Sequence, residues 1–263
     1  GTATSSGHAA EILAIFPLMA PGMEVIVADK LYGGTINLMA KSFQKFGWEA
    51  IFANTENPES FRSAVTEKTR AIFIENLANP GGIVADLEAI VKIANEAEVP
   101  LIVDNTLATP FLSQPLEWGA DLVIHSTTKY LSGQGNAIGG VVIDSGKFPW
   151  LGNPKYPSLS APSAEYNGLI FAETFGDLAY TMYSHAISLR DLGCTQSPMN
   201  AWITLNGVET LPLRMERHCS NGIAVAGFLE KHQNVEWVSH AGLKSSPYYK
   251  LGKKYFPNGT GSL

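Results

Sequence analysis

The chain has 263 residues, of which 45% are hydrophobic, 10% aromatic and 16% charged. Such a chain can bury a substantial core, which excludes wholesale disorder, a peptide hormone and a small disulfide-stapled module. With 18 basic and 24 acidic residues, its net charge of −6 argues against a nucleic-acid binder held by a global positive field. The length allows one large domain, or one domain and part of a second.

The sequence shows no targeting or membrane signal. No apolar run approaches the roughly 20 residues that span a bilayer, and residues 1–7 lack the basic and apolar regions of a signal peptide. Cys194 and Cys219 are too few and too far apart for a metal site or a disulfide framework, so we interpret them as reduced thiols. These features predict a cytoplasmic protein with no metal site and no membrane or nucleic-acid partner. Because the chain has no initiator methionine, we also expect it to begin within a longer protein.

In chain order, the pattern alternates helices with short apolar strands. Residues 9–19 are typical of a buried helix that Pro17 ends or kinks, and residues 33–46 have the apolar spacing of an amphipathic helix. A further helix is predicted over residues 86–97, and a helical pattern returns over residues 176–229. The predicted strands are, in order, 24–28, 50–53, 69–74, 100–104, 121–126 and 138–143.

Continuous apolar strands separated by helices indicate a mostly parallel sheet that is covered on both faces. Residues 150–164 are rich in proline and serine, which predicts a surface excursion.

Polar side chains cluster directly after the predicted strands and at the start of the first helix. In a doubly wound sheet, ligands bind at the carboxyl ends of the strands, so we expect these groups to converge on one crevice. They are the turn 5–8, Glu75, Asn79, Asp104, Asn105, Thr106, Ser126, Thr127, Thr128 and Lys129.

Each of these groups also has a purely structural explanation. Taken alone, Asp104 is a cap for the segment after it, and Lys129 is an ordinary surface lysine. Ser6 and Gly7 form either a simple helix cap or an anion site, since a helix start supplies N–H groups, a hydroxyl and a positive dipole end. The glycines after Lys129 do not make a dinucleotide fingerprint, because Ile138 stands where the third glycine is required.

The segments around Asp104 and Lys129 resemble a known family. Residues 102–106 and 125–130 are similar to the pyridoxal-phosphate enzymes of cysteine and methionine metabolism, which include cystathionine synthases and lyases, methionine lyases and homoserine-ester sulfhydrylases. A Ser-x-Thr-Lys signature ends at Lys129, and Asp104 lies 25 residues before that lysine. Further matches span essentially the whole chain, at residues 6–10, 31–35, Glu75, 79–80 and 213–218.

The resemblance implies an α/β architecture, the fold type I of PLP-dependent transferases. This fold has a mostly parallel sheet sandwiched by helices, followed here by the start of a small α+β C-terminal domain. Residues 1–218 would form the PLP-binding large domain, and residues 219–263 the beginning of the C-terminal domain. An N-terminal arm that binds the partner subunit's phosphate and a C-terminal arginine for the substrate carboxylate would lie outside this chain. We assign neither Arg214 nor Arg217 to the substrate; both would serve the helix or its junction.

The resemblance also implies a role for each matching position in a site for pyridoxal 5'-phosphate. Lys129 would form the Schiff base with the cofactor, and Asp104 would pair with the pyridine nitrogen and keep it protonated. Tyr32 would stack on the ring and serve in proton transfer. The phosphate would be bound by the hydroxyls of Ser126 and Thr128, by the helix start at Ser6 and Gly7, and by the backbone N–H of His8. Asn79 would hydrogen-bond the phenolic oxygen. Thr106 would line the far side of the ring.

Two features narrow the choice within the family. Gly34 stands where methionine γ-lyases usually have cysteine, and the long segment 148–176 resembles O-acetylhomoserine sulfhydrylases. The resemblance therefore implies γ-replacement on O-acetyl-L-homoserine with sulfide or a thiol, giving homocysteine or methionine and acetate. The alternatives are a cystathionine γ-synthase or γ-lyase type of activity, or a catalytically incomplete fragment of such an enzyme. Relatives are dimers or dimers of dimers, which implies a homodimer or homotetramer.

Overall fold

The protein, described by a computed structural model over residues 1–261, is organised around a seven-stranded sheet. Its strands lie in the order β1-β7-β6-β5-β4-β2-β3. Strands β3, β2, β4, β5 and β6 run parallel to one another, whereas β7 is antiparallel to β6 and β1 is antiparallel to β7. The strands are β1 Thr2–Thr4, β2 Glu24–Ala28, β3 Glu49–Ala53, β4 Thr69–Glu75, β5 Leu101–Asp104, β6 Leu122–Ser126 and β7 Gly140–Asp144.

Helices cover this sheet, and the mostly parallel α/β architecture predicted from the sequence is confirmed. Strands β2, β4 and β5 bury nearly every residue, which requires cover on both faces of the sheet. The helices are α1 Gly7–Ile15, α2 Gly33–Asn37, α3 Pro58–Ala64, α4 Leu87–Glu96, α5 Thr109–Leu112, α6 Pro157–Ser160, α7 Phe171–Phe175, α8 Ala179–Tyr183, α9 Arg190–Leu192, α10 Pro198–Glu209, α11 Leu211–Leu229 and α12 Tyr249–Tyr255. No helix in the described part of the chain combines the length and apolarity needed to cross a membrane.

Two predicted helices have different bounds in the structure. α1 starts earlier than expected and stops at Ile15, where a 3₁₀ turn containing Pro17 follows, because proline cannot donate the next backbone hydrogen bond. The predicted helix over residues 33–46 is regular only as far as Asn37. It continues as a π turn and a 3₁₀ turn, and ends at Gly47 in the left-handed conformation.

The strands at the antiparallel edge also differ from the prediction. The predicted strand over residues 138–143 begins later, because the β6–β7 ladder ends at the pair Ser126–Gly140. Ile138 is therefore outside the sheet and largely exposed. Strand β1 was not predicted, since three residues are too few to show an alternating pattern.

The expected surface excursion over residues 150–164 holds for only part of the segment, because several of its residues, Leu151 among them, are exposed while its two aromatic residues are buried. Trp150 and Tyr156 are buried, and the Trp150 ring stacks on Tyr180 with 5.7 Å between centroids. The Tyr156 hydroxyl donates a hydrogen bond of 3.0 Å to the carbonyl oxygen of Arg70. Proline and serine form the turns of this segment, while its aromatic side chains pack into the core.

The domain division at residues 218 and 219 stays a prediction. α11 is continuous across that boundary, so the two proposed parts share one helix. Residues 262 and 263 of the second part lie outside the described residues.

Asn105 is the centre of a buried hydrogen-bond network beneath the carboxyl end of β5. Its side-chain amide donates to the carbonyl oxygens of Ser113 at 2.8 Å and Thr109 at 3.2 Å. Its side-chain oxygen accepts from the Asn76 amide at 3.2 Å. This side chain therefore stabilises the turn after β5. It has a structural role and does not line the crevice in which it was expected.

Replacing Asn105 with alanine should lower the free energy of unfolding by roughly 1–3 kcal/mol, because buried partners would be left without hydrogen bonds. Urea denaturation of the full-length protein measures this change. Asn136→Ala, at an exposed asparagine, is the control and should unfold like the unsubstituted protein. Equal midpoints for the two variants would contradict a structural role for Asn105.

Candidate active site

A cavity of about 230 Å³ opens at the carboxyl ends of β4, β5 and β6, beside the start of α1. The structure brings together all ten residues predicted for the cofactor site: Ser6, Gly7, His8, Tyr32, Asn79, Asp104, Thr106, Ser126, Thr128 and Lys129. Sequence reasoning placed Glu75 near this crevice but missed the other lining residues, Glu11, Leu77, Leu107 and Ile138. For Glu11 there was a usable signal, since it is an acidic residue in an otherwise apolar helical run one turn after Gly7.

The start of α1 has the features of an anion site. The Ser6 hydroxyl caps the helix by accepting the Ala9 N–H at 3.0 Å, and the first N–H groups of a helix, here those of Gly7 and His8, have no partner within it. A Cβ atom at Gly7 would lie 2.7 Å from the Cβ of Ser126, so only glycine lets the helix start press against the end of β6. Backbone N–H groups, the helix dipole and two serine hydroxyls thus face the same space.

Short hydrogen bonds tie the strand ends to one another. Asp104 Oδ1 accepts the Thr106 N–H at 2.8 Å, and the Thr106 hydroxyl accepts the Ser126 N–H at 2.7 Å. The Thr128 hydroxyl accepts the N–H of Gly139 at 3.1 Å and donates to the carbonyl oxygen of the same residue at 3.2 Å. Thr106 therefore joins the ends of β5 and β6, and Thr128 joins the lysine loop to the start of β7.

Three residues expected in the crevice, Ser5, Asn105 and Thr127, do not line it. Asn105 lies in the network described above, and Thr127 is buried beside Gly139, where a Cβ atom would come within 2.4 Å of its hydroxyl oxygen. Thr127 lies in a turn in which the Lys129 N–H donates to the carbonyl oxygen of Ser126 at 3.3 Å. The residues on either side of Asn105 and of Thr127 line the cavity, while these two do not.

Glu75 positions two of the predicted cofactor residues. Its Oε1 accepts the backbone N–H of Tyr32 at 2.6 Å, and its Oε2 accepts that of Asn79 at 2.9 Å. One buried carboxylate thus joins two loops that are far apart in sequence.

Tyr32, His8 and Gly34 form a close group at the mouth of the cavity. The imidazole and phenol rings have their centroids 6.0 Å apart. A Cβ atom at Gly34 would lie 2.5 Å from Cε1 of Tyr32 and 2.8 Å from the imidazole of His8. The two rings therefore occupy the space of any side chain at position 34, and His8 contributes a side-chain contact in addition to its predicted backbone N–H.

The cavity brings acidic side chains close together. Burial raises the pKa of both Glu75 and Asp104, and the charge of Asp104 raises the pKa of Glu75 further. Burial and then the positive charge of Lys129 lower the pKa of His8, which lines the same cavity. A cationic group beside Asp104 would relieve this repulsion between carboxylates.

Arg214 lies outside the cavity. Its guanidinium donates to the carbonyl oxygen of Gly207 at 2.7 Å and to the Thr210 hydroxyl at 3.1 Å, which joins α10 to α11. Neither it nor Arg217 lines the cavity, and no arginine among residues 1–261 does.

Comparison with known proteins decides the family. The family model described as Cys/Met metabolism PLP-dependent enzyme matches residues 1–263. This chain belongs to that family. Its cofactor is therefore pyridoxal phosphate, and the resemblance noted in the sequence is confirmed.

Individual members of the family are similar over nearly the whole chain. The O-acetyl-L-homoserine sulfhydrylase of Leptospira meyeri is 45% identical over 98% of this chain and 60% of its own length. The homocysteine/cysteine synthase of Saccharomyces cerevisiae is 44% identical over 99% of this chain and 59% of its own length. The chain thus spans about three fifths of the curated relatives that it matches.

A solved structure is similar at the level of the fold. The Campylobacter jejuni chain described as an O-acetylhomoserine (thiol)-lyase superposes with a TM-score of 0.94 at 37% identity, covering 98% of this chain and 64% of that one. That structure holds N'-pyridoxyl-lysine-5'-monophosphate.

The residues of this PLP-family cavity fit the cofactor. Half-buried Asp104, whose pKa is raised by loss of solvation, suits a cationic partner, which a protonated pyridine nitrogen would provide. The start of α1, where Gly7 leaves no room for a side chain, suits a phosphate group. Lys129 lines the same cavity.

Gly34→Ala should weaken binding of pyridoxal phosphate about threefold, because a Cβ atom there would push aside the rings of Tyr32 and His8, which are exposed and can shift at moderate cost. Titration of the cofactor-free full-length protein, followed by absorbance, measures the affinity. Gly33→Ala is the matched control, since a Cβ atom there meets nothing within 4 Å at the start of the same helix. If both variants bind the cofactor alike, the Gly34 contact does not matter.

Proposed function

We propose that this chain is the cofactor-binding part of an enzyme that carries out γ-replacement on O-acetyl-L-homoserine. Sulfide or a thiol would replace the acetate group, giving homocysteine or methionine. The observation that carries the proposal is the single cavity in which Lys129, Asp104 and the start of α1 lie together. The names of the similar proteins support the choice of substrate, namely O-acetyl-L-homoserine sulfhydrylase and homocysteine/cysteine synthase.

When bound, pyridoxal phosphate supplies an electron sink for the negative charge that develops at the α-carbon of the substrate. Lys129 would hold the cofactor and then, as a free amine, take the proton from that carbon. A second proton, at the β-carbon, must leave before acetate departs from the γ-carbon. Tyr32 lies in the same cavity and is the second group that would move protons there.

The remaining residues would bind and orient. Asp104 would keep the ring nitrogen protonated, and Asn79 would bind the phenolic oxygen. Ser6, Gly7 and His8 would hold the phosphate at the start of α1, together with Ser126 and Thr128. The hydroxyl of Thr128 already hydrogen-bonds to Gly139, so it would contribute less to phosphate binding than the hydroxyl of Ser126. Thr106 would support the ring through its link between Asp104 and Ser126.

The absence of a side chain at Gly34 favours this substrate over that of methionine γ-lyases. Cysteine, usual at this position in those enzymes, would need the space taken by Tyr32 and His8. The site as built is therefore not shaped for a side chain there.

We also propose that the protein is cytoplasmic and works as a homodimer or homotetramer. Both cysteines are free thiols, which fits a reducing compartment. α10 exposes four large apolar side chains at intervals of three residues, and such patches mark contact surfaces. These residues are Met199, Trp202, Leu205 and Val208.

Lys129→Ala in the full-length protein should abolish the visible absorbance of covalently bound pyridoxal phosphate and all turnover. The absorbance spectrum and the release of homocysteine measure the two effects. Lys147→Ala, at an exposed lysine, is the control and should keep both. A Lys129→Ala variant that retained both properties would refute the assignment.

Product analysis separates the proposed reaction from its closest rival. With O-acetyl-L-homoserine and equal concentrations of sulfide and cysteine, we expect homocysteine as the main product. Cystathionine as the main product would instead indicate a cystathionine γ-synthase. Mass spectrometry of the products, with Lys129→Ala as the blank, distinguishes the two results.

A further inference from the structure

Glu11 is a buried carboxyl group without a role in the proposed reaction. It lies on α1 between buried apolar residues and is only 3% exposed, yet it lines the cofactor cavity. A carboxylate in such a place is costly unless it is paired or protonated. Its presence therefore calls for an interaction inside the cavity.

One oxygen of this carboxyl group has a hydrogen-bond partner and the other has none in the described residues. Oε1 is 2.7 Å from the hydroxyl of Thr35, which is itself buried on α2. Oε2 is buried and has no hydrogen-bond partner among residues 1–261. Thr35 thus fixes one oxygen of a residue that lines the cavity, and it leaves the other oxygen without a partner.

The surroundings of Glu11 favour the neutral acid. Burial raises its pKa to about 8, with the charges of Asp104 and then Glu75 adding to the effect, while the hydrogen bond from Thr35 opposes it. Glu75 is less suited to hold this proton, because both of its oxygens accept backbone N–H groups, and such bonds favour the charged form. Asp104 is the residue that the cofactor nitrogen requires as an anion.

We propose that Glu11 is a positioning residue that presents a carboxylic O–H group to the cofactor cavity beside Asp104. By carrying a proton, Glu11 adds a hydrogen-bond donor without a third negative charge, so Asp104 remains the anion for the pyridine nitrogen. This inference rests on the proposed cofactor site, but the protonation of Glu11 is a property of the chain itself.

The experiment compares Glu11→Gln with Glu11→Met in the full-length protein. Glutamine keeps the shape, the acceptor for Thr35 and a donor for the cavity, whereas methionine keeps only the volume. Glu11→Met should weaken binding of pyridoxal phosphate about tenfold, the value of one lost hydrogen bond in a dry site. Glu11→Gln should restore the affinity to within about twofold of the unsubstituted protein.

Infrared difference spectra of the cofactor-free protein at neutral pH provide the second measurement. The unsubstituted protein should show the carbonyl band of a protonated carboxyl group, and Glu11→Gln should lose it. Leu13→Met is the matched control, because it changes a buried apolar position of the same helix that does not line the cavity. It should leave both the band and the affinity unchanged.

Three results would overturn the proposal. Glu11→Gln binding as weakly as Glu11→Met would mean that the charge of Glu11 is needed. Equal affinity of all variants would mean that Glu11 does nothing in the cavity. If the carbonyl band were the same in Glu11→Gln as in the unsubstituted protein, Glu11 would be ionised. If the unsubstituted protein failed to bind the cofactor, the proposed function would fall while the infrared result still reported the state of Glu11.

Discussion

The parallel register of β4, β5 and β6 is the constraint on which the rest of the site depends. Glu75 pairs with Asp104 across β4 and β5, and Asp104 pairs with Ile124 across β5 and β6, so the three strands end at one edge. The residues that follow each strand consequently emerge side by side. The start of α1 is held against this edge by the close approach of Gly7 to Ser126. Catalytic and binding groups can therefore be carried by short loops on a rigid support.

The distribution of charge in the cavity follows from this geometry. Bringing strand ends together also brings together Glu75, Asp104 and Glu11, which would repel one another if all three were ionised in a buried place. The surroundings of each carboxyl group limit this repulsion in a different way. Glu75 is bound by two backbone N–H groups, Glu11 is held by one hydroxyl and favours its neutral form, and Asp104 would face the cationic ring in the site that we propose.

Sequence patterns were reliable where they reflected local periodicity. The six predicted strands and the α4 helix are present, because apolar runs and amphipathic spacing are properties of a single segment. They failed where a distant partner decided the outcome. Trp150 and Tyr156 lie in a segment rich in turn residues, yet Trp150 packs against Tyr180, Tyr156 packs against Trp150, and both rings are buried. The start of β7 was misplaced because its pairing with β6, rather than its own apolar content, determines where the ladder ends.

The sequence alone determined the family, the cofactor and ten of the fifteen residues that line the cavity, since the Asp104-to-Lys129 spacing and the motifs around it are carried by contiguous residues. Only the tertiary structure decided that Asn105 and Thr127 do not line the cavity, that the rings of Tyr32 and His8 lie beside Gly34, and that Glu11 lines the same cavity. Those facts depend on contacts between segments 24 to 43 residues apart, as in the Glu11–Thr35 and Tyr32–Glu75 pairs. Such contacts follow from the order of strands in the sheet, which no local pattern encodes.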